Sequence, residues 1–377
     1  MGVQLKKLSD QTIVITGASS GIGLVTARMA ARRGARLVLA ARAEDALRRL
    51  TEEIRREGGE AIYVVADVGD ERDVNHIAVA AKQRFGGFDT WINNAGVSIY
   101  GNLLEISNED HRRLFETNFW GVVYGSQVAA RHLRGRGGAI INVGSTLSDR
   151  AIPVQGMYSA SKHAVKGFTD ALRMELEAEG APVSVTLIKP SGIDTPYTQH
   201  AKNYMESEPT VPPPVYAPET VAEAILHCCE NAVRDLFVGA GGKAISASGN
   251  YAPRLTDRVM EATMPRIQRS GKLPRADREG GLHKASGELA ERGAYDGHVA
   301  ESSVYTKAAI HPFITAAVFV GAGLALTALL SPNLFNFTRR AGEGAAKTND
   351  DTDGSAIRAN SSGQQPDAGG RTRAASA

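Results

Sequence analysis

The pattern of apolar and polar positions divides the chain into two parts near residue 240. Up to about Val238, short apolar runs alternate with segments whose apolar residues recur at helical spacing. The apolar runs predict strands at 12–16, 36–40, 61–65, 89–93, 139–143, 183–188 and 235–239. The segments between them predict helices, among them 21–33, 43–57, 71–85 and 155–179. This alternation predicts an α/β fold with a doubly wound parallel sheet, over about residues 1–245, with ligand sites at the carboxyl ends of the strands.

The pattern changes beyond Gly241. Residues 246–306 predict a peripheral extension or linker with one or two helices, for example 254–268, and no further strand. The uncharged stretch Phe313–Leu330, within 307–331, predicts a transmembrane or membrane-associated helix, with a buried core or interface helix as the alternative. Residues 332–377 are rich in small and polar side chains and predict a disordered tail.

Composition narrows the class of protein. The 377 residues carry a net charge of only +2 and are 42% hydrophobic, which favours a globular protein and argues against nucleic-acid binding. Cys228 and Cys229 are adjacent and poorly placed for a disulfide, and no Cys/His cluster has the spacing of metal ligands. The N-terminus shows no apolar signal core. We therefore expect no metal, and a catalytic domain in the cytoplasm at a membrane.

A glycine-rich segment, T-G-A-S-S-G-I-G from Thr16 to Gly23, follows the first predicted strand and opens the first helix. Gly17 permits a tight turn, Gly21 lets the backbone approach a pyrophosphate, and Gly23 allows close packing of the helix. The helix N-terminus favours the anion. This context predicts a dinucleotide-binding site.

The ends of the next two strands bear on the choice of dinucleotide. Arg42 stands after the second strand, where an NAD site usually has a carboxylate. It can pair with a 2′-phosphate, so NADP(H) is favoured over NAD(H), with a solvated arginine at a helix start as the alternative. Asp67, after the third strand, would either meet the adenine amino group or cap the helix that begins near Asp70.

Tyr158 and Lys162 lie four residues apart in a predicted helix, which puts both side chains on one face. A nearby ammonium favours the phenolate, so Lys162 is expected to lower the pKa of the Tyr158 phenol. Two further motifs, N-N-A-G at Asn93–Gly96 and I-N-V-G-S at Ile141–Ser145, close the fourth and fifth strands.

These motifs, in this order and spacing, closely resemble the classical short-chain dehydrogenase/reductases, a family with a Rossmann fold, over about residues 8–240. The resemblance implies that Tyr158 is the general acid and base, that Lys162 supports it, and that Ser145 stabilises the substrate oxygen. It implies a proton relay at Asn118, for which a buried structural role is the alternative. The cofactor contacts that it implies are Thr16, Gly17, Ser19, Ser20, Gly21, Ile22, Gly23, Arg42, Asp67, Val68, Asn94, Ala95, Gly96, Tyr158, Lys162, Pro190, Ile193 and Thr195.

The sequence departs from the family pattern after the sixth strand, where K-P-S-G-I-D-T-P places Ser191 at the usual glycine and Gly192 one residue later. A substrate lid is expected at about Thr198–Ala217, where His200 and Tyr204 are surface residues or ligand contacts. We therefore predict an oligomeric, NADP(H)-dependent oxidoreductase that interconverts a carbonyl and an alcohol on an apolar small-molecule substrate. The alternative is a catalytically idle NADP(H) sensor or scaffold at a membrane.

Overall fold

The computed structural model describes residues 3–274, 280–287, 289–311 and 315. The described residues through His311 belong to one compact unit, Met1–Ile314, and Thr315 belongs to a second. Apart from Thr315, the predicted membrane segment Phe313–Leu330 and the predicted tail 332–377 lie outside the described residues. Within the described ranges, every helix is too short or too polar to cross a membrane.

Seven parallel strands form the central sheet, in the order β3-β2-β1-β4-β5-β6-β7. They are β1 (Thr12–Thr16), β2 (Arg36–Ala41), β3 (Ala61–Val65), β4 (Thr90–Asn93), β5 (Gly138–Val143), β6 (Val183–Pro190) and β7 (Asp235–Val238). The strand order reverses between β1 and β4, and the crevice at their carboxyl ends is where such sheets bind ligands. The predicted fold class is confirmed, with strand ends shifted by at most two residues.

Helices cover both faces of the sheet. They are α1 (Gly21–Arg32), α2 (Glu44–Arg56), α3 (Glu71–Phe85), α4 (Asn108–Phe115), α5 (Gly121–Leu133), α6 (Gly156–Ala178), α7 (Tyr197–His200), α8 (Pro218–Glu230), α9 (Ala240–Tyr251), α10 (Pro253–Ile267) and α11 (Val304–Ile310). Alternate residues of β1 enter different cores: Ile13 and Ile15 pack on one face, and Val14 packs on the other. This is why the strands read as continuous apolar runs.

The segment after β7 differs most from the prediction. Helices α9 and α10 agree with the one or two helices predicted, with α10 at the predicted 254–268, but the two-residue strand Val299–Ala300 is additional. Gly241 and Gly242 lower helix propensity, so the sequence carried little signal for α9. A Cβ at Gly242 would collide with Thr146, and one at Gly241 would touch Pro214. Close packing on the catalytic domain therefore explains these glycines, and the predicted peripheral extension contributes to its pockets.

Candidate active site

The glycine-rich loop between β1 and α1 has the geometry of an anion site. Gly17 has a φ of +67°, and a Cβ there would lie 2.7 Å from the Ala95 Cα. A Cβ at Gly23 would collide with the Gly17 carbonyl oxygen. Ser20 precedes α1 without a side-chain capping bond, so the N–H groups of Ile22 and Gly23 are not capped by it. The loop thus fits the pyrophosphate of a dinucleotide.

The side chains of two predicted cofactor contacts, Thr16 and Asn94, hold this loop in place. The Thr16 hydroxyl accepts from the N–H of Asn94 at 3.1 Å and of Ala95 at 3.2 Å. The Asn94 amide donates to the carbonyl oxygens of Thr16 and Gly17 at 3.0 and 3.2 Å. All the predicted cofactor contacts except Thr16 and Gly23 line one of two cavities. The first cavity contains the glycine-rich loop and Arg42, and the second contains Tyr158 and Lys162. The two cavities share Ile22, Asn94, Gly96, Thr195 and Tyr197. Whether they bind a cofactor stays a prediction.

Arg42 and Asp67 stand at the end of the cleft expected to hold the adenosine. The Arg42 guanidinium donates to the carbonyl oxygens of Leu282 at 3.1 Å, of Lys284 at 3.3 Å and of Gly281. Burial lowers the pKa of Arg42, and the Asp67 carboxylate opposes this shift. Arg42 is therefore not the freely solvated arginine of the alternative interpretation.

The Asp67 carboxylate pairs with Arg113 and accepts from the Gly69 N–H at 3.0 Å. The alternative prediction that Asp67 caps the third helix is wrong. Asp70 caps α3 instead, by accepting from the Arg72 N–H at 2.8 Å.

The structure brings Ser145, Tyr158 and Lys162 together in the second cavity, which has a volume of about 230 Å³. Lys162 Nζ donates to the Val143 carbonyl oxygen at 2.8 Å and lies 5.7 Å from the centroid of the Tyr158 ring. The Ser145 hydroxyl, at the N-terminus of a 3₁₀ turn, accepts from the Leu147 N–H at 3.0 Å and lies beside the Tyr158 hydroxyl. Their catalytic roles stay predictions.

Burial dominates the titration of this cluster. It lowers the pKa of Lys162 to about 8. It raises the pKa of Tyr158, while the neighbouring hydroxyls of Tyr197 and Ser145 oppose that rise. The direction for Tyr158 is opposite to the one predicted from Lys162, because the loss of hydration outweighs the help from its neighbours.

Asn118 lies on a π-helical turn, Glu116–Trp120, between α4 and α5. Its amide is fully used within the protein: Oδ1 accepts from the Val97 N–H at 2.8 Å, and Nδ2 donates to the Val97 carbonyl at 2.9 Å and to Ser161 at 3.3 Å. The side chain thus has the structural role named as the alternative. Since π turns alter the backbone hydrogen bonding of a helix, the main chain is the remaining route for a relay.

The departure after β6 has a structural reason. A Cβ at Gly192 would lie 2.9 Å from the Pro212 carbonyl and 3.1 Å from the Pro214 carbonyl, because the proline-rich lid crosses this point. Ser191, where the family has glycine, donates its hydroxyl to the Val238 carbonyl at 2.9 Å. The residues Gly192–Ile193 then pair with Val215–Tyr216 as short parallel strands.

Three lid residues differ in what they contact. Tyr197, which the sequence did not single out, packs its ring edge-on against Tyr158 with centroids 5.6 Å apart. His200 lines the first cavity, whereas Tyr204 donates to Asp110 at 2.7 Å and packs beside Gly101. No sequence motif indicates Tyr197, because its side chain reaches the site only through the tertiary fold of the chain after β6.

Comparison with known proteins identifies the class that this fold and site define. The profile of the short chain dehydrogenase family matches residues 11–206. The chain is 51% identical to the "Uncharacterized oxidoreductase YxnA" of Bacillus subtilis (strain 168), over 85% of this chain and 90% of that protein. It is 38% identical to 11-beta-hydroxysteroid dehydrogenase A of Sesamum indicum, over 51% of this chain and 55% of that protein. The chain therefore belongs to the short-chain dehydrogenase/reductase family.

Two solved structures agree with this assignment. One is an alcohol dehydrogenase of the archaeon Thermococcus sibiricus complexed with 5-hydroxy-NADP, with a TM-score of 0.54 and 28% identity over 60% of this chain and 95% of that chain. The other is a short chain dehydrogenase/reductase of Burkholderia phymatum in complex with NAD, with a TM-score of 0.59 and 28% identity over 68% and 96%. Relatives of this chain thus bind nicotinamide dinucleotides of both kinds.

Proposed function

We propose that this chain is an NADP(H)-dependent oxidoreductase that interconverts a carbonyl and an alcohol on an apolar substrate. The observation that carries the proposal is the position of Ser145, Tyr158 and Lys162 in one cavity, directly beside the cleft formed by the glycine-rich loop. A bound nicotinamide would supply or accept the hydride there. The idle-sensor alternative leaves this proton-donating cluster without a purpose.

The chemistry assigned to the side chains follows from their contacts. In reduction, the Tyr158 phenol would donate its proton to the substrate oxygen, and in oxidation the phenolate would remove one. The Ser145 hydroxyl, beside Tyr158, would stabilise charge that develops on the substrate oxygen. Since the pKa of Lys162 is about 8, its ammonium is mostly charged at neutral pH and would stabilise the phenolate.

The preference for NADP(H) rests on Arg42, which lies in the cleft directly after β2, where an NAD site would have a carboxylate. A guanidinium there favours a 2′-phosphate, whereas an NAD site uses a carboxylate on the 2′-hydroxyl. The Arg42 guanidinium already donates to backbone carbonyl oxygens. Because carbonyl groups carry no net charge, they do not neutralise the positive charge of Arg42.

The apolar character of the substrate rests on the lining of the second cavity. Its walls include Ile152, Val211, Pro212, Pro214, Ile245 and Met264. Apolar walls with a few convergent polar groups are typical of sites for apolar small molecules. The Sesamum indicum relative is named a hydroxysteroid dehydrogenase, which agrees with this class of substrate. Membrane association, a cytoplasmic catalytic domain and self-association belong to the same proposal and rest on the sequence alone.

The test is a titration of NADPH and NADH against wild type and Tyr158→Phe, followed by oxidation of NADPH with a panel of aldehydes and ketones of rising apolar size. We expect both proteins to bind NADPH more tightly than NADH and only wild type to turn over. Binding without turnover by wild type on the whole panel would favour the sensor. Failure to bind either nucleotide would remove the proposal altogether.

A further inference from the structure

A segment of the extension crosses the entire dinucleotide cleft. We call residues 280–287 and 289–293 the strap. At the adenosine end, its carbonyls accept from Arg42, and the Leu282 carbonyl also accepts from Arg113 at 3.3 Å. At the glycine-rich loop, the Ala290 carbonyl accepts from the Gly21 N–H at 2.8 Å. At the far end, the Gly293 N–H donates to Asp194 at 3.1 Å, next to the predicted nicotinamide contact Thr195.

The strap is fixed at separate points and bridges the cleft between two of them. Leu282 is fully buried among Ile99, Ile106 and Leu114, and Leu289 packs against the main core. Of the residues between these two anchors, 283–285 and 287 are exposed, and Ala285 and Ser286 line the cofactor cavity. The strap therefore forms a wall of the cavity that the parallel sheet does not supply.

The strap has further contacts: His283 Nε2 lies 2.6 Å from the Asp110 carboxylate, Ser286 Oγ lies 3.2 Å from His200 Nδ1, and the Gly287 carbonyl accepts from Arg49 at 3.1 Å. Its C-terminal end is held by partly exposed ion pairs. Glu291 pairs with Arg28 at 2.8 Å, with side chains 33% and 19% exposed. Arg292 pairs with Glu219 at 3.0 Å and with Glu301 at 2.8 Å. Such pairs contribute little to stability, so the end of the strap around Glu291 and Arg292 is held by contacts that thermal motion can break without unfolding the core.

We propose that the strap encloses the dinucleotide and that its opening sets the rate at which the cofactor exchanges. A dinucleotide in the cleft would lie under residues 283–287, so it leaves only after strap contacts break. The Ala290 carbonyl also stands at the N-terminus of α1, where its partial negative charge would repel a pyrophosphate, which couples strap position to occupancy. This inference rests on the cofactor binding proposed above.

The extension shared with the Bacillus subtilis relative includes the strap. A match of 85% of a 377-residue chain must contain the residues from 280 to 293, wherever the match begins. The family profile, in contrast, ends at residue 206. The strap therefore lies outside the family domain, and the match with the Bacillus subtilis relative extends over it.

The first test loosens the strap with Glu291→Ala/Arg292→Ala and measures the dissociation of NADPH by displacement in a stopped-flow instrument. We expect dissociation about fivefold faster or more, since each partly exposed ion pair shifts an opening equilibrium by a few-fold. Arg234→Ala is the control: it removes two ion pairs, with Asp170 and Asp235, against three in the double variant, and lies just before β7, away from the carboxyl ends of the strands. The proposal would be overturned if the dissociation rate constant of NADPH did not change. It would also be overturned if NADPH bound more tightly only because its association became faster.

The second test locks the strap. An ideal Cβ at Gly281 would lie 3.2 Å from the Cβ of His200. Disulfides need about 3.5–4.5 Å, so Gly281→Cys/His200→Cys requires only a small adjustment. Loaded with NADPH and then oxidised, this variant should release the cofactor at least about tenfold more slowly than after reduction.

Mass spectrometry would verify the crosslink, and the buried native Cys228 and Cys229 serve as the internal check for unwanted pairing. Equal release rates in the crosslinked and reduced forms would overturn the proposal. If wild type binds neither NADPH nor NADH, the proposed function itself fails, which is a different result from binding with an unchanged release rate.

Discussion

The extension closes the two neighbouring cavities in different ways. On the substrate side, α9 is held by a buried polar group: Asp149 accepts from Ser246 at 3.0 Å and pairs with Lys189 and Lys166 at 3.2 and 2.6 Å. On the cofactor side, the strap is held by the buried Leu282, by backbone hydrogen bonds and by ion pairs that are partly exposed. A wall that shapes a substrate needs rigidity, whereas a wall over an exchangeable cofactor has to open.

Catalysis belongs to the substrate cavity and dinucleotide binding to the cofactor cavity, so a variant on one side should change one of these functions and leave the other unchanged. The largest expected effect comes from Tyr158→Phe, which removes the proton donor of the substrate cavity. We expect the turnover number to fall by about a thousandfold, because general acid catalysis contributes factors of this order. The NADPH dissociation constant should change by less than about threefold, since the phenyl ring remains.

Steady-state kinetics and a fluorescence titration of NADPH would measure the two quantities on the same preparation. Tyr63→Phe, on β3 and outside both cavities, is the matched control for loss of a phenol. Turnover by Tyr158→Phe within tenfold of wild type would remove Tyr158 from the mechanism.

The contrast in rigidity can be tested through stability. Asp149→Asn leaves the Lys189 ammonium, 7% exposed, without its carboxylate, and breaking a buried pair costs about 3–5 kcal/mol. Glu291→Gln in the strap should cost about 1 kcal/mol or less, because its pair with Arg28 is partly exposed. Chemical denaturation of both variants measures the two free energies of unfolding. Similar losses in the two variants would contradict the difference in anchoring that we describe.

Much of the site was predictable because it lies on regular elements. The turn around Gly17, the helix face of Tyr158 and Lys162 and the position of Ser145 after β5 follow from local sequence patterns. The strap was not predictable, since its contacts with Arg42 and Gly21 use backbone carbonyls, which every residue possesses. The direction of the Tyr158 pKa shift was missed for a related reason: burial depends on the lid and extension, which no local motif describes.

The buried ammonium of Lys162 should leave a signature in the pH dependence of stability. Its pKa falls from the ordinary 10.5 to about 8 on folding, so the unfolded chain binds more protons between these two values. The free energy of unfolding should therefore rise with pH in this window, by on the order of 3 kcal/mol from this group. Below about pH 8 both states carry the charge, and the full penalty of burying it remains.

The measurement is the difference in unfolding free energy between wild type and Lys162→Met at pH 7.5 and pH 10. The difference cancels the other groups that titrate in this range, and Lys166→Met, on the same helix but 39% exposed, is the control. A difference that does not change with pH would show that Lys162 is solvated in the folded protein.

The smallest expected effect separates the two roles of Arg42 on the cofactor side. Arg42→Met removes both the charge beside the proposed 2′-phosphate and the bonds to the strap carbonyls. We expect NADPH binding to weaken by about tenfold or more and NADH binding by only a few-fold, because a charge-assisted hydrogen bond contributes roughly 1.5–3 kcal/mol.

Arg42→Lys keeps the charge but not the fork geometry, so it should preserve the preference for NADPH while it releases the strap. Titration of both nucleotides against both variants gives the ratio of NADPH affinity to NADH affinity, which distinguishes the two roles of Arg42. An unchanged ratio in Arg42→Met would make Arg42 an anchor of the strap alone, and the preference for NADP(H) would then lose its support.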